Sequence, residues 1–458
     1  MNIIIAGCGQ VGQVLAEQLC KDEHDVTVID QNSEAVQRVV YAADARGVIG
    51  NAASLNIQME AGVDKADLLI AVTNADEVNL LCCLIAKKSG GCQTIARVRN
   101  PVYHQEIHHF KEDLGLSMVI NPEWAAAMEI SRLLRFPSAI DIDTFANGRI
   151  ELLRFHLQPG NPLCAKKIKD LEELSRCEVL ICIVERQGQT LIPDGDMELQ
   201  EGDTISIVAS PANASRFFRM IGIETNQVKN TMLIGGGKVA FYLARRLIEM
   251  GIQVKIVEKD RASCELLSDL LPKATIIYGD GRDETLLAEE GLARVEGFAA
   301  LTNQDEENVM MSLYAKHMSK AKIITKVDQD TYNAIIGSLD IGSMIYPKHI
   351  TAETIIQYVR AMQNSIDSNV QSLYRLVDGK AEALEFIIHK QSELTDVPLQ
   401  ELKLRDDLLV CAIYRKRKTI IPKGQDCLRV GDSVVIITTS SGDLKDLRDI
   451  LKKTRAAG

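Results

Sequence analysis

The chain has 458 residues, 46% of them hydrophobic and 25% charged, and carries a formal net charge of -11. Its length suits about three domains at roughly 150 residues each. The acidic balance argues against a general affinity for nucleic acid or anionic lipid, which needs clustered Lys and Arg, and no apolar run approaches the roughly 18 residues that cross a bilayer.

The opening Met-Asn-Ile-Ile-Ile-Ala-Gly lacks the basic stretch of a signal peptide and reads as a buried strand, so a cytoplasmic chain is expected. Residues 2–6 and 26–29 read as strands with a helix between them. Val48-Ile49, 68–72 and 94–98 read as further strands, and 76–88 as a helix. Such alternation implies a parallel, doubly wound sheet. A helical stretch, Glu123–Phe136, follows and is ended by Pro137. The texture then changes. Ile150–His156 and Val179–Glu185 alternate as antiparallel strands, Ile-Pro-Asp-Gly-Asp (192–196) is a turn, and Asp203–Ala209 is another strand. Ile223–Asn230 reads as a linker, with a second break expected near Gln363–Asn369.

The second half repeats the first. Ile-Ile-Ala-Gly-Cys-Gly-Gln-Val-Gly (4–12) parallels Met-Leu-Ile-Gly-Gly-Gly-Lys-Val-Ala (232–240), so that Gly7 falls on Gly235 and Asp30 on Glu258, an offset of 228. Ala-Val-Thr-Asn-Ala-Asp-Glu-Val-Asn (71–79) parallels 300–308, and 191–203 parallels 420–432, both at an offset of 229. An offset near half the chain length means that the whole protein is duplicated. The second copy places its parallel strands at 231–234, 253–257, 275–278, 298–301 and 322–327.

The chemistry concentrates in the glycine loops. Gly7-x-Gly9-x-x-Gly12 follows a strand and opens a helix. The first glycine permits the turn, the second admits a pyrophosphate against the backbone, and the third lets helix pack on strand. Cys8, Gln10 and Val11 complete the loop. Asp30 ends the second strand, where an acid bonds ribose hydroxyls and repels a 2′-phosphate, favouring NAD(H) over NADP(H). ATP and ADP share the adenosine half and fit the same pattern. In the second copy Gly235, Gly236, Gly237, Lys238 and Val239 lead to Ala240, and Glu258 supplies the acid. Two readings stand for that copy, a nucleotide site or an empty Rossmann fold.

Thr73, Asn74, Thr302 and Asn303 begin at the carboxyl ends of strands, at the mouth of the crevice. They either contact nucleotide or cap the following helix. Arg97 and Arg99 leave the next strand toward the crevice, as a phosphate site or as solvated surface cations. His104, His108 and His109 read as a solvent-facing helix rather than a metal site. The eleven cysteines form no CxxC and read as reduced core residues.

These motifs together resemble the bacterial TrkA (RCK, KTN) family of potassium-uptake regulators over essentially the whole chain. The resemblance implies two Rossmann-type doubly wound parallel-sheet domains, each followed by a small α+β RCK-C domain, at 1–124, 140–225, 229–349 and 368–453. It implies nucleotide positions Gly7, Gly9, Gly12, Asp30, Thr73 and Arg97, then Gly235, Gly237, Glu258, Thr302 and Lys326. Asn51, which faces Asp280 in the second copy, marks where adenosine contacts differ. The implied protein is a peripheral subunit on the inner face of the cell membrane, a homotetrameric ring that gates a TrkH/TrkG-like potassium channel subunit in response to NAD(H), ATP or ADP. An NAD-dependent oxidoreductase is the alternative, but His156 stands where the second copy has Glu385, and the repeated Ile-Pro-x-Gly motif is turn chemistry. A nucleotide-sensing transcription regulator finds no helix-turn-helix signal to support it.

Overall fold

In a computed structural model the described residues are 1–452, apart from 137–140, 146–149, 171–176, 223–226, 330–338, 340, 368–369, 378–379, 417, 440–443 and 445. Among the described residues, twenty-two strands fall into four sheets. The first sheet holds β1 (Asn2–Ala6), β2 (Asp25–Asp30), β3 (Arg46–Ile49), β4 (Leu68–Ala71), β5 (Gln93–Arg97) and β6 (Met118–Ile120). Its order is β3-β2-β1-β4-β5-β6, with every neighbouring pair parallel. The strand order therefore reverses between β1 and β4, which opens a crevice at their carboxyl ends.

The second sheet is antiparallel: β7 (Asp141–Phe145), β8 (Ile150–His156), β9 (Val179–Arg186), β10 (Gln189–Leu191) and β11 (Thr204–Ala209), in the order β10-β9-β11-β8-β7. The third repeats the first with β12 (Asn230–Ile234), β13 (Gln253–Glu258), β14 (Thr275–Tyr278), β15 (Gly297–Ala300), β16 (Lys322–Lys326) and β17 (Ser343–Ile345). The fourth repeats the second with β18 (Val370–Leu376), β19 (Ala381–Ile387), β20 (Leu408–Arg415), β21 (Lys418–Ile420) and β22 (Ser433–Thr438).

The chain forms two units. One joins Met1–Ser131 with Lys229–Ile356, the other Arg132–Val228 with Gln357–Gly458. The first unit holds both parallel sheets, here called the first and second lobes. Strands buried on both faces read as unbroken apolar runs, and Ile3, Ile4, Ile5, Leu68, Leu69 and Ile70 are all at most 2% exposed. The lobes meet through Tyr242. Its hydroxyl accepts from Asn121 Nδ2 at 3.0 Å and donates to the Arg99 carbonyl at 3.3 Å, and the His104 ring lies 5.7 Å from Trp124 and 6.1 Å from Tyr242.

In the second unit the two small sheets share one core. Leu152, Cys182 and Val208 pack with Ala383, Cys411 and Val435 from the other copy. Each small sheet is braced by an arginine fork on a buried aspartate: Arg186 on Asp203 at 2.7–2.8 Å, and Arg415 on Asp432 at the same distances. Asp203 and Asp432 belong to the repeated Gly-Asp pair of the turn motif.

Near the break expected at Gln363–Asn369, helix Pro347–Asp367 ends and β18 begins at Val370. The linker at Ile223–Asn230 lies partly outside the described residues.

Candidate functional site

The first-lobe crevice is a cavity of about 680 Å³. Gly7, Cys8, Gly9, Gln10, Val11, Asp30, Asn51, Thr73, Asn74 and Arg97 all line it, so the structure gathers these residues from five separate stretches of sequence. Gly7 has φ +111°, and a Cβ there would stand 2.9 Å from the Thr73 nitrogen. Only glycine lets the two loops approach so closely. A Cβ on Gly12 would sit 1.9 Å from the Gly7 carbonyl oxygen, so Gly12 seats the helix on the loop beneath the cavity. Gly9 differs: a Cβ there meets nothing within 4 Å. It is the N-cap of helix Gln10–Lys21 and supplies no side-chain cap, leaving the helix end free for an anion. Asp30 braces the loop, its carboxylate accepting from the Cys8 N–H at 2.8 Å and the Asn32 N–H at 2.9 Å. Burial, then the charge of Asp30, pushes the Cys8 thiol up to about 12, so Cys8 is a neutral wall of the cavity.

The Thr-Asn-x-Asp-Glu-x-Asn segment has an unexpected centre. Asn79 is fully buried. Its Oδ1 accepts from the Thr73 N–H at 2.8 Å and the Thr73 hydroxyl at 2.7 Å, while its Nδ2 donates to the carbonyls of Thr73 at 3.2 Å and Arg97 at 2.9 Å. Asp76 accepts from the N–H groups of Arg99 and Asn100 at 2.9 and 2.7 Å. The following helix carries no side-chain cap. The motif thus positions the crevice wall rather than capping a helix. Sequence reasoning missed Asn79 and Asp76, although their repetition at Asn308 and Asp305 was a signal.

Arg97 is 8% exposed. Its Nη2 donates to the Thr73 carbonyl at 2.5 Å and lies 3.4 Å from Asn74 Oδ1, while its Nε is buried without a partner. No ion pair joins it to a carboxylate among the described residues. Burial, then Arg99, lowers it to about 10. A buried cation in this condition suits an incoming anion. Open space over Gly9, an uncapped helix end and a buried guanidinium outside any ion pair among the described residues together fit a nucleotide diphosphate. Arg97 is therefore not a solvated surface cation.

The second-lobe crevice, lined by Gly235, Gly236, Gly237, Glu258, Asp280, Thr302 and Asn303, is smaller, about 350 Å³. Asn308 repeats Asn79, accepting from the Thr302 N–H and hydroxyl and donating to the Thr302 and Lys326 carbonyls. Glu258 repeats Asp30, accepting from the Gly236 N–H at 2.5 Å. Two things change. Arg282 forks onto Asp280 at 2.6–3.1 Å and reaches Glu307 at 2.9 Å, and Arg282 draws the Asp280 carboxyl down to about 2. Lys326 Nζ sits 2.5 Å from Asp328 Oδ2 and donates to the Thr302 carbonyl at 3.1 Å. Lys326, Lys238 and Val239 line not this crevice but a third cavity of about 450 Å³ between the lobes, which they share with Gln10, Val11, Arg97 and Arg99.

His104 packs against Trp124 and Tyr242, His109 is exposed, and the His108 side chain lies outside the described residues. No group of three metal-ligating side chains assembles among the described residues. Among these residues, too, no helix is long and apolar enough to cross a membrane.

The TrkA-N domain model matches residues 3–122 and 231–347, and the TrkA-C domain model matches 152–222 and 383–452. The Trk system potassium uptake protein TrkA homolog 1 of Methanosarcina mazei is 31% identical over 96% of this chain and 98% of its own. The Trk system potassium uptake protein TrkA of Haemophilus influenzae is 30% identical over 99% of both chains. Among solved structures, the GsuK channel bound to NAD aligns with 96% of this chain and 77% of its own at a TM-score of 0.64 and 17% identity. The isolated GsuK RCK domain aligns with 96% and 92% at 0.63. At that identity these two likenesses speak for the fold alone.

Proposed function

Since the chain belongs to the family of Trk system potassium uptake protein TrkA, we propose that it is the nucleotide-sensing regulatory subunit of a Trk-type potassium uptake system. The carrying observation is the first-lobe crevice, whose one cavity is lined both by a buried Arg97 with an unpartnered Nε and by Gly9 with open space over it. The ligand is NAD(H) or an adenine nucleotide. Its pyrophosphate lies over Gly9 at the helix N-terminus, its ribose beside Asp30, and its charge against Arg97 and Arg99. Asp30 disfavours a 2′-phosphate by repulsion, so NADP(H) binds more weakly.

Binding acts as a switch and not as chemistry. Arg97 and Arg99 line both the first-lobe crevice and the cavity between the lobes. A ligand that neutralises them favours one arrangement of the two lobes, and its differential affinity sets how far the population shifts. Four chains close into a ring on the cytoplasmic face of the membrane and transmit that shift to a TrkH/TrkG-like potassium channel subunit.

The test is titration of the full chain with NADH, NAD, ATP, ADP and NADPH by calorimetry, paired with flotation of the chain on vesicles that hold or lack a Trk-type channel subunit. Binding of NAD(H), ATP or ADP, with flotation only on channel-bearing vesicles, supports the reading. Hydride turnover, or flotation indifferent to the channel subunit, sinks it.

A further inference from the structure

The duplicated lobes invite the expectation of two nucleotides per chain, but the second crevice is built with the opposite charge. Asp30, Arg38, Arg97 and Arg99 are the charged residues lining the first crevice, a balance of +2. Glu258, Lys259, Asp280, Arg282 and Glu307 are those lining the second, a balance of -1.

Position by position, the second lobe loses or neutralises each cation of the first. Leu266 stands at the position of Arg38. Asp328 stands at that of Arg99, and it pairs at 2.5 Å with Lys326, the counterpart of Arg97. Lys326 is only 6% exposed, so this pairing is internal to the wall. Where the first lobe has neutral Asn51, Ala53 and Val78, the second has Asp280, Arg282 and Glu307. Arg282 starts in the loop after β14 and bridges Asp280 to Glu307 on helix Asp305–Met318. It therefore lies across the side of the crevice that Asn51 and Val78 leave open in the first lobe. The crevice that remains has about half the volume.

We infer that the chain takes one nucleotide diphosphate, in the first lobe only, and that Asp280, Arg282, Glu307 and Asp328 exclude it from the second. Two negative phosphates meet a net positive wall in one lobe and a net negative wall in the other, on glycine loops that differ at Gly12 and Ala240. This inference rests on the nucleotide-binding reading above.

The experiment counts NADH bound per chain by equilibrium dialysis in three proteins: wild type, Gly9→Glu, and Gly9→Glu combined with Asp280→Asn, Arg282→Ala, Glu307→Val and Asp328→Arg. The expected counts are one, none and one, with the combined variant regaining the site in its second lobe. Two NADH per wild-type chain, with one left in Gly9→Glu, overturns the inference and leaves nucleotide sensing intact. No NADH or ADP bound to wild type overturns both. A combined variant that melts cooperatively yet binds nothing overturns the role of the four residues. Should it fail to fold, the wild-type and Gly9→Glu counts still decide between one site and two.

Discussion

Two glycines three residues apart in the first loop should respond oppositely to substitution. A side chain at Gly9 meets open space at ordinary backbone angles, φ -74° and ψ -172°. Gly9→Glu should therefore leave the folded state within about 0.5 kcal/mol of wild type. Its carboxylate enters the volume assigned to the pyrophosphate. Two like charges about 4 Å apart at an effective dielectric near 20 repel by about 4 kcal/mol, roughly a thousandfold in affinity. Gly12→Ala reverses the pattern. Its methyl stands 1.9 Å from the Gly7 carbonyl oxygen, so helix and loop must part. Overpacking of that kind costs about 1–3 kcal/mol, several degrees of melting temperature for a domain of this size. Thermal melts and NADH fluorescence titration of both variants read the two effects separately. The reasoning fails if Gly9→Glu binds NADH within threefold of wild type, or if it melts well below Gly12→Ala.

Asn79→Ala removes four hydrogen bonds that hold Thr73 and the Arg97 carbonyl, and should cost about 2–4 kcal/mol and weaken NADH binding; unchanged melting would contradict the positioning role. Asp203→Asn strips the Arg186 fork of a charge partner. With Arg186 a quarter exposed, the loss should be about 2–3 kcal/mol by denaturant unfolding. Burial pulls the Asp203 carboxyl up, but the Arg186 fork and the Gln200 N–H outweigh it and hold it below its ordinary 3.8. Its folded value is thus the lower one, so its contribution is full above about pH 4 and fades as pH falls further; the Asn variant should lack that acid-side slope. Thiol labelling at pH 8 should reach Cys20, Cys164 and Cys427 far faster than the eight buried cysteines, of which Cys82 is pushed up to about 12 by burial.

Much of this was legible in the sequence because it is local. The glycine loops, the acids at Asp30 and Glu258 and the strand-helix alternation each follow from short-range chemistry, and the fixed offset made the duplication visible. What escaped notice is tertiary. Asn79 reaches the Arg97 carbonyl, 18 residues away along the chain, a tie that only the packed fold discloses. Lys326 was expected at the nucleotide, and its burial and its pairing with Asp328 are set by how the strand end packs. The reach of Arg282 to Glu307 joins two elements 25 residues apart, which no local pattern marks. The joining of lobes through Tyr242 and the shared core around Cys182 and Cys411 depend on how the copies pack, which a repeat alone does not disclose.

The central claim is that nucleotide in the first lobe governs potassium flux. The most direct measurement is rubidium uptake into vesicles carrying a Trk-type channel subunit, with wild-type chain or Gly9→Glu, across a titration of NADH and ATP. The account predicts uptake that depends on both chain and nucleotide, and that Gly9→Glu loses the nucleotide dependence while still associating with the vesicles. Uptake that is the same with and without nucleotide, or the same response from Gly9→Glu and wild type, would contradict it.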